Sequence, residues 1–197
     1  MTHAHDSALA HHADSGPDRA GEDELLAIRC QMGERDGFDD LIRRWNDPLW
    51  RYLRRLAGND HDAQELVQDV WVRVLRGMTR LRDASKLRAW LFGIARRVAM
   101  DALRAQYAAP RSEDVSEVDP PAIDDHDTLH DDLNAVEQEL LRLPVIEREI
   151  LTLFYLQELS LGEVADVLAI PVGTVKSRLF RARQLLRREL TQKGTPS

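Results

Sequence analysis

A single cysteine, Cys30, in 197 residues excludes an intramolecular disulfide and the thiolate-rich kind of zinc site, so a reducing compartment is the default. No sustained apolar–polar alternation is present, which removes the period-two signature of strands. No apolar run approaches the length that crosses a bilayer. The N-terminus, with Asp6, His11 and His12, lacks the apolar stretch of a signal peptide, and the expected location is cytoplasmic. Ligand-spaced His, Cys and acid clusters are missing, as is a glycine-rich phosphate loop. No catalytic residue, metal site, cofactor or small-molecule substrate is therefore expected, and the chain does not read as an enzyme. His3, His5, His11 and His12 can in principle collect a metal, but without a framework they read as a disordered polar tail.

Charge is abundant and divided. The overall net charge of −7 hides a segment up to Glu24 at −5, a block from Leu25 to Tyr107 at +5, a block from Ala108 to Asp132 at −8, and a remainder at +1. A global acidity spread evenly would argue against nucleic acid; here the excess acid sits in a tail and a linker.

Helical periodicity fills the rest, so the fold class is all-α, with two small helical domains. Their expected bounds are a tail over 1–21, a first domain over 22–107, an acidic linker over 108–128 containing Pro110, Pro120 and Pro121, a second domain over 129–191, and a tail over 192–197. Gly37, Asn46-Asp47-Pro48, Gly58-Asn59-Asp60 and Gly77 are expected to interrupt the first domain between or within helices. Leu66, Val67, Val70, Trp71, Val74 and Leu75 form one apolar face, opposite Glu65, Gln68, Asp69 and Arg73. The next helix, near 87–104, buries Leu91, Ile94, Ala95, Val98 and Ala102 and offers Arg96, Arg97, Met100, Asp101 and Arg104. Trp90, flanking that stripe, reads as core. A cation-rich polar loop, Arg80 to Lys86, lies between the two helices.

In the second domain Ser160-Leu161-Gly162-Glu163 has the spacing of a capping box. Leu161, Val164, Ala165 and Leu168 face the core, and Ile170 to Thr174 is the turn, with Thr174 as the candidate cap of the next helix. Ahead of them, Ile146, Ile150, Leu151, Leu153 and Phe154 are expected to close the bundle around a helix bearing Glu147, Arg148 and Glu149. On the last helix Val175, Leu179, Ala182 and Leu186 align on one side. Lys176, Ser177, Phe180, Arg181, Gln184, Arg187 and Arg188 take the other. A large aromatic in the middle of a basic face suits a major groove, where cations meet phosphates and an apolar group touches a thymine methyl. The geometry is that of a helix-turn-helix.

Two stretches together carry a resemblance: Asp62-Ala63-Gln64-Glu65-Leu66-Val67-Gln68-Asp69-Val70-Trp71-Val72-Arg73-Val74 with Leu87-Arg88-Ala89-Trp90-Leu91 and Ile94-Ala95-Arg96, and Leu143-Pro144 with Pro171-Val172-Gly173-Thr174-Val175-Lys176-Ser177-Arg178-Leu179-Phe180-Arg181-Ala182-Arg183. Over about 22–189 the chain resembles a bacterial RNA polymerase sigma factor of the extracytoplasmic-function group, the sigma-70 relatives reduced to domains two and four. The resemblance implies a specificity subunit that directs RNA polymerase core enzyme to promoter DNA and supports strand opening, with an anti-sigma factor as a further partner.

It also implies roles for residues. Asp62, Glu65, Gln68, Asp69 and Arg73 bind core polymerase. Arg80, Arg82, Asp83, Ser85 and Lys86 capture a flipped base of the −10 element, and Arg96, Arg97, Met100 and Arg104 line its upstream part. Thr174, Lys176, Ser177, Arg178, Phe180, Arg181 and Arg183 serve the −35 element, the three arginines 178, 183 and 187 holding phosphates or the polymerase flap. For the acidic linker two readings stay open, an electrostatic mimic of RNA in the polymerase cleft and a solvated tether. A stand-alone repressor using only the helix-turn-helix leaves the 62–104 pattern without a use.

Overall fold

In a computed structural model, the protein is described over residues 17–108 and 138–193, with side chains over 20–106 and 138–191. The expectations for the histidine-bearing tail, most of the acidic linker and the last four residues lie outside this range. The named elements in the described residues are all helical. They comprise α1 (Pro17–Gln31), α2 (Arg35–Ala57), α3 (Asp60–Gly77), two short 3₁₀ turns (Met78–Arg80 and Ala84–Lys86), α4 (Leu87–Ala108), α5 (Val145–Leu151) continued by a π-turn (Thr152–Leu156), α6 (Leu161–Leu168) and α7 (Val172–Lys193). None of these helices is long and apolar enough to cross a membrane.

Helix α1 starts at Pro17, ahead of the boundary expected at Glu22. Proline at a first helical position sacrifices no hydrogen bond. Just inside that boundary, Glu22 and the buried Asp23 both pair with Arg44 of α2, each at 2.8 Å. Burial raises the Asp23 pKa, and the Arg44 charge opposes that rise.

The largest departure from expectation is α2. Asn46-Asp47-Pro48 does not interrupt it; the helix runs through Pro48 for 23 residues. Proline removes one internal donor and normally kinks or breaks a helix. Here Leu41, Trp45, Leu49, Tyr52, Leu53 and Leu56 are all buried along one side, spanning the proline, and that shared burial outweighs the local penalty. Gly37 also lies inside the helix, where a β-carbon would meet the Arg29 Cβ at 3.2 Å, so it permits close approach of α1 rather than breaking the chain. The interruption at Gly58 does occur: its φ of 88° is left-handed and its N–H caps the Arg54 carbonyl. Asn59 then caps α3, its side chain accepting from the Asp62 N–H.

Trp45, Tyr52 and Phe92 form an edge-to-face cluster, with Phe92 centroids 6.1 Å from Trp45 and 5.4 Å from Tyr52. The core is continuous from this cluster to the helix-turn-helix, where Ile150, Leu153, Phe154, Leu159, Val164, Val175, Leu179 and Ala182 are buried. Trp90 is only partly buried, with its ring beside Gly77. Cys30 is sealed in the α1 side of the core, and burial pushes its thiol up to about 11, so it remains an inert thiol.

The capping box at α6 forms as expected: the Ser160 hydroxyl accepts from the Glu163 N–H at 3.2 Å and the Glu163 carboxylate accepts from the Ser160 N–H at 2.8 Å. Thr174 is not the cap of α7. The N–H groups of Thr174 and Val175 both bond the Pro171 carbonyl, which places the cap three residues earlier. The Ser160→Ala variant is expected to lower stability by about 1 kcal/mol, visible as a lower midpoint in thermal unfolding followed by circular dichroism.

Candidate nucleic-acid interface

The loop expected to hold a base is organised rather than slack. Asp83 accepts from both the backbone N–H and the hydroxyl of Ser85, at 3.1 and 2.6 Å, which sets the second 3₁₀ turn. Leu81 is buried, and its carbonyl accepts a 2.6 Å hydrogen bond from the Gln31 side chain of α1. The same amide approaches the Met78 carbonyl at 3.4 Å. Arg80, Arg82, Ser85 and Lys86 point to solvent around this pinned centre. Gln31 was not among the expected site residues. It lies 50 positions from Leu81, and no local spacing in the sequence announces such a bond.

On α4, Arg97 and Arg104 are exposed as expected, with Arg104 paired to Asp101 at 3.2 Å. Met100 is a partial correction: it packs against the core instead of standing on the open face. Arg96 is a fuller one. Its Nε lies 3.0 Å from the Glu149 carboxylate of α5, so this cation is occupied from within the chain. Lys86 is occupied too, donating to Asp166 of α6 at 3.0 Å, which raises its pKa.

Helix α3 presents Glu65, Gln68, Asp69 and Arg73 outward; Arg73 reaches Asp101 at 3.5 Å, whereas Asp62 is half-buried and held by the Asn59 amide at 2.9 Å. Leu75, expected inside, is 48% exposed, and Val72 is 44% exposed. Positions 65, 68, 69, 72 and 75 follow the helical repeat, so the acidic and amide groups flank an apolar centre that the sequence reading missed. The signal was present in that spacing, but a stripe of six apolar residues is wider than the surface the neighbouring helices cover.

Helix α7 turns Lys176, Ser177, Phe180, Arg181, Arg187 and Arg188 outward, and Phe180 is 50% exposed, as its helical position requires. The Ser177 hydroxyl donates to the Thr174 carbonyl at 3.0 Å. Thr174, Arg178 and Arg183 are half-buried, and Arg183 reaches the Tyr155 hydroxyl at 3.4 Å. Arg181 pairs with Glu147 at 3.3 Å. On α5 Ile150 and Leu151 are buried as expected, but Ile146 is exposed, and the acids Glu147 and Glu149 are buried. Each acid is drawn inward by an arginine from another element, a contact between positions far apart in the chain.

Burial raises the Glu149 pKa, against the opposing charge of Arg96 and the hydrogen bond from Tyr52. The Gln31→Ala variant is expected to unpin the loop without unfolding the domain: trypsin should nick at Arg80 or Arg82 several-fold faster while the helical signal stays unchanged.

Comparison with known proteins places these surfaces in context. Two family models match, Sigma-70 region 2 over residues 41–108 and Sigma-70, region 4 over residues 133–186. The chain is 34% identical over 167 residues to the ECF RNA polymerase sigma factor SigM of Mycobacterium tuberculosis, covering 85% of this chain and 83% of that one. It is 30% identical over 176 residues to the ECF RNA polymerase sigma-E factor of Escherichia coli, covering 83% and 92% respectively. Among solved structures, the sigma factor RpoE of Bartonella quintana, in complex with the anti-sigma factor NepR, superposes with a TM-score of 0.68 at 25% identity, covering 78% of this chain and 96% of that one.

Proposed function

The chain belongs to the extracytoplasmic-function sigma factors of the sigma-70 family, which direct RNA polymerase to promoters, and from that membership we propose how its own surfaces divide the work. The exposed face of α3 docks core polymerase, with Glu65, Gln68 and Asp69 addressing a basic partner around the apolar centre of Val72 and Leu75. The pinned loop and the outward side of α4 read and hold the opened −10 element. Unstacking a base costs a few kcal/mol, and a preformed loop recovers that cost only when the correct base enters. Helix α7 reads the −35 element through Lys176, Ser177, Phe180 and Arg181 in the major groove, with Arg178, Arg183 and Arg187 toward phosphates or polymerase. Domain bounds of 22–107 and 129–191 accommodate these roles.

The observation that carries this assignment is the exposure of an aromatic inside a basic helix face at Phe180, joined in one chain to a second helical unit with an acidic, apolar-centred face. The chain works without chemistry of its own, as a cytoplasmic specificity subunit. Its negative regulator is an anti-sigma protein, a reading supported by the similar RpoE, whose structure holds one.

Run-off transcription tests the whole reading: purified chain plus core enzyme initiates at specific genomic sites, and core alone does not. Lys176→Ala and Arg181→Ala are each expected to weaken −35-dependent initiation by about 1–3 kcal/mol; unchanged promoter use by both removes α7 from the reading surface. In a core-binding titration, Asp69→Lys and Val72→Asp are expected to raise Kd at least about tenfold, roughly 1.4 kcal/mol, with the helical signal intact. Unaltered affinity would show that polymerase docks elsewhere.

A further inference from the structure

Glu147 lies in the first turn of α5, beside an apolar residue that takes the opposite place. Ile146 is 53% exposed, whereas Glu147 is 8% exposed. Withdrawing a carboxylate from water is costly, and an apolar residue fills a buried place at less cost. Packing alone therefore gives no reason for an acid at position 147. A first-turn acid gains from the helix dipole, but it gains this from the solvent side as well. What Glu147 meets is Arg181 of α7, the helix packed against α5: a carboxylate oxygen lies 3.3 Å from the Arg181 Nε.

The two partners are placed unequally. The Glu147 side chain is 10% exposed and fixed within the protein, while the Arg181 side chain is 73% exposed on the outward face of α7. A guanidinium carries five N–H donors in a rigid fork, and contact at Nε leaves the two terminal amino groups as its leading end. Those groups present the paired donors that match O6 and N7 of guanine. Charge is altered too. An arginine without an acid is drawn to any phosphate, and each phosphate neutralised adds affinity irrespective of sequence. One that already faces a carboxylate has lost much of that pull. On the same helix Arg183 reaches a hydroxyl rather than a carboxylate, that of Tyr155 at 3.4 Å, and keeps its charge for phosphate.

We infer that Glu147 is a positioning residue for −35 readout: it holds the Arg181 guanidinium by Nε, offsets its attraction to phosphate, and leaves its terminal amino groups to a guanine edge. The inference rests on the assignment of Arg181 to the −35 element. It makes an acid of α5 a determinant of specificity although that acid touches no base. Holding the side chain in advance also removes part of the ordering cost that a long, exposed side chain meets on binding. Loss of the acid thus has two opposed effects, weaker discrimination between bases and stronger attachment to DNA of any sequence.

The test uses holoenzyme assembled from core polymerase and the full chain, transcribing a library randomised across the −35 region. Sequencing the transcripts gives the base preference at each position. The parent chain is expected to prefer guanine at a position that becomes indifferent in Arg181→Ala. Glu147→Gln keeps the size of the side chain and removes its charge; it is expected to cut that one preference about two- to tenfold. On the promoter recovered with the parent chain, the same variant is expected to bind more tightly at low salt and to steepen the dependence of log affinity on log salt by about one. In the Arg181→Ala background Glu147→Gln is expected to change neither quantity. If Glu147→Gln loses helical signal, Glu147→Leu, which fills the buried place with an apolar group, decides the matter by the same two readouts. A merely structural role predicts the reverse sign, with affinity lowered on every sequence and the salt dependence unaltered. That result, or an unchanged preference at the Arg181 position, overturns the inference while leaving α7 as the reading helix. A library in which no position responds to Arg181→Ala overturns the −35 assignment of Arg181 itself, and the positioning role with it.

Discussion

Helix α2 is the constraint on which the other elements are hung. It meets α1, α3 and α4 within the first domain and α5 of the second, and one buried side, Leu41 through Leu56, supplies the surface for these contacts. Its uninterrupted passage through Pro48 is what places Trp45 on one side of the proline and Tyr52 on the other, both against Phe92 of α4. A break there would separate the two aromatics and swing the first half of the helix away, taking with it the Arg44 partner of α1. The pinned loop depends on the same packing at one remove, since Gln31 reaches Leu81 only because α1 is fixed against α2.

Electrostatics in this chain is decided between elements. Along the sequence, acids gather in the tail and linker and bases in the helices. In the fold, four of the cations assigned a role in the first domain are met by a specific acid: Arg96 by Glu149, Lys86 by Asp166, Arg104 and Arg73 by Asp101. The exposed pairs exchange readily with water and add little to stability. The Glu149 site differs, because burying a carboxylate is tolerable only with both its partners in place.

Much of the architecture was legible. The all-α class, the capping box at Ser160 and Glu163, the outward Phe180 and the division into two helical units follow from periodicity and capping chemistry, which act over three or four residues. The failures share a cause. Pro48 was read as a breaker because local propensity says so, and burial on both sides overrode it. Leu75 was assigned to the core because the apolar stripe contains it, although no neighbouring helix reaches that far. Ile146 was expected to help close the bundle, yet it is exposed, while Glu147 and Glu149 are buried against arginines from α7 and α4.

The sequence by itself determined the all-helical class, which polar side chains of α3 and α7 share an exposed face, and which family patterns they match, because side-chain period along a helix is fixed by backbone geometry alone. Tertiary structure alone decided that Gln31 pins the loop, that Val72 and Leu75 are left exposed, and that Arg96 and Lys86 are held by acids of the second helical unit. Those outcomes depend on which surfaces meet in space, and contacts between positions about 50 to 100 residues apart leave no trace in local spacing.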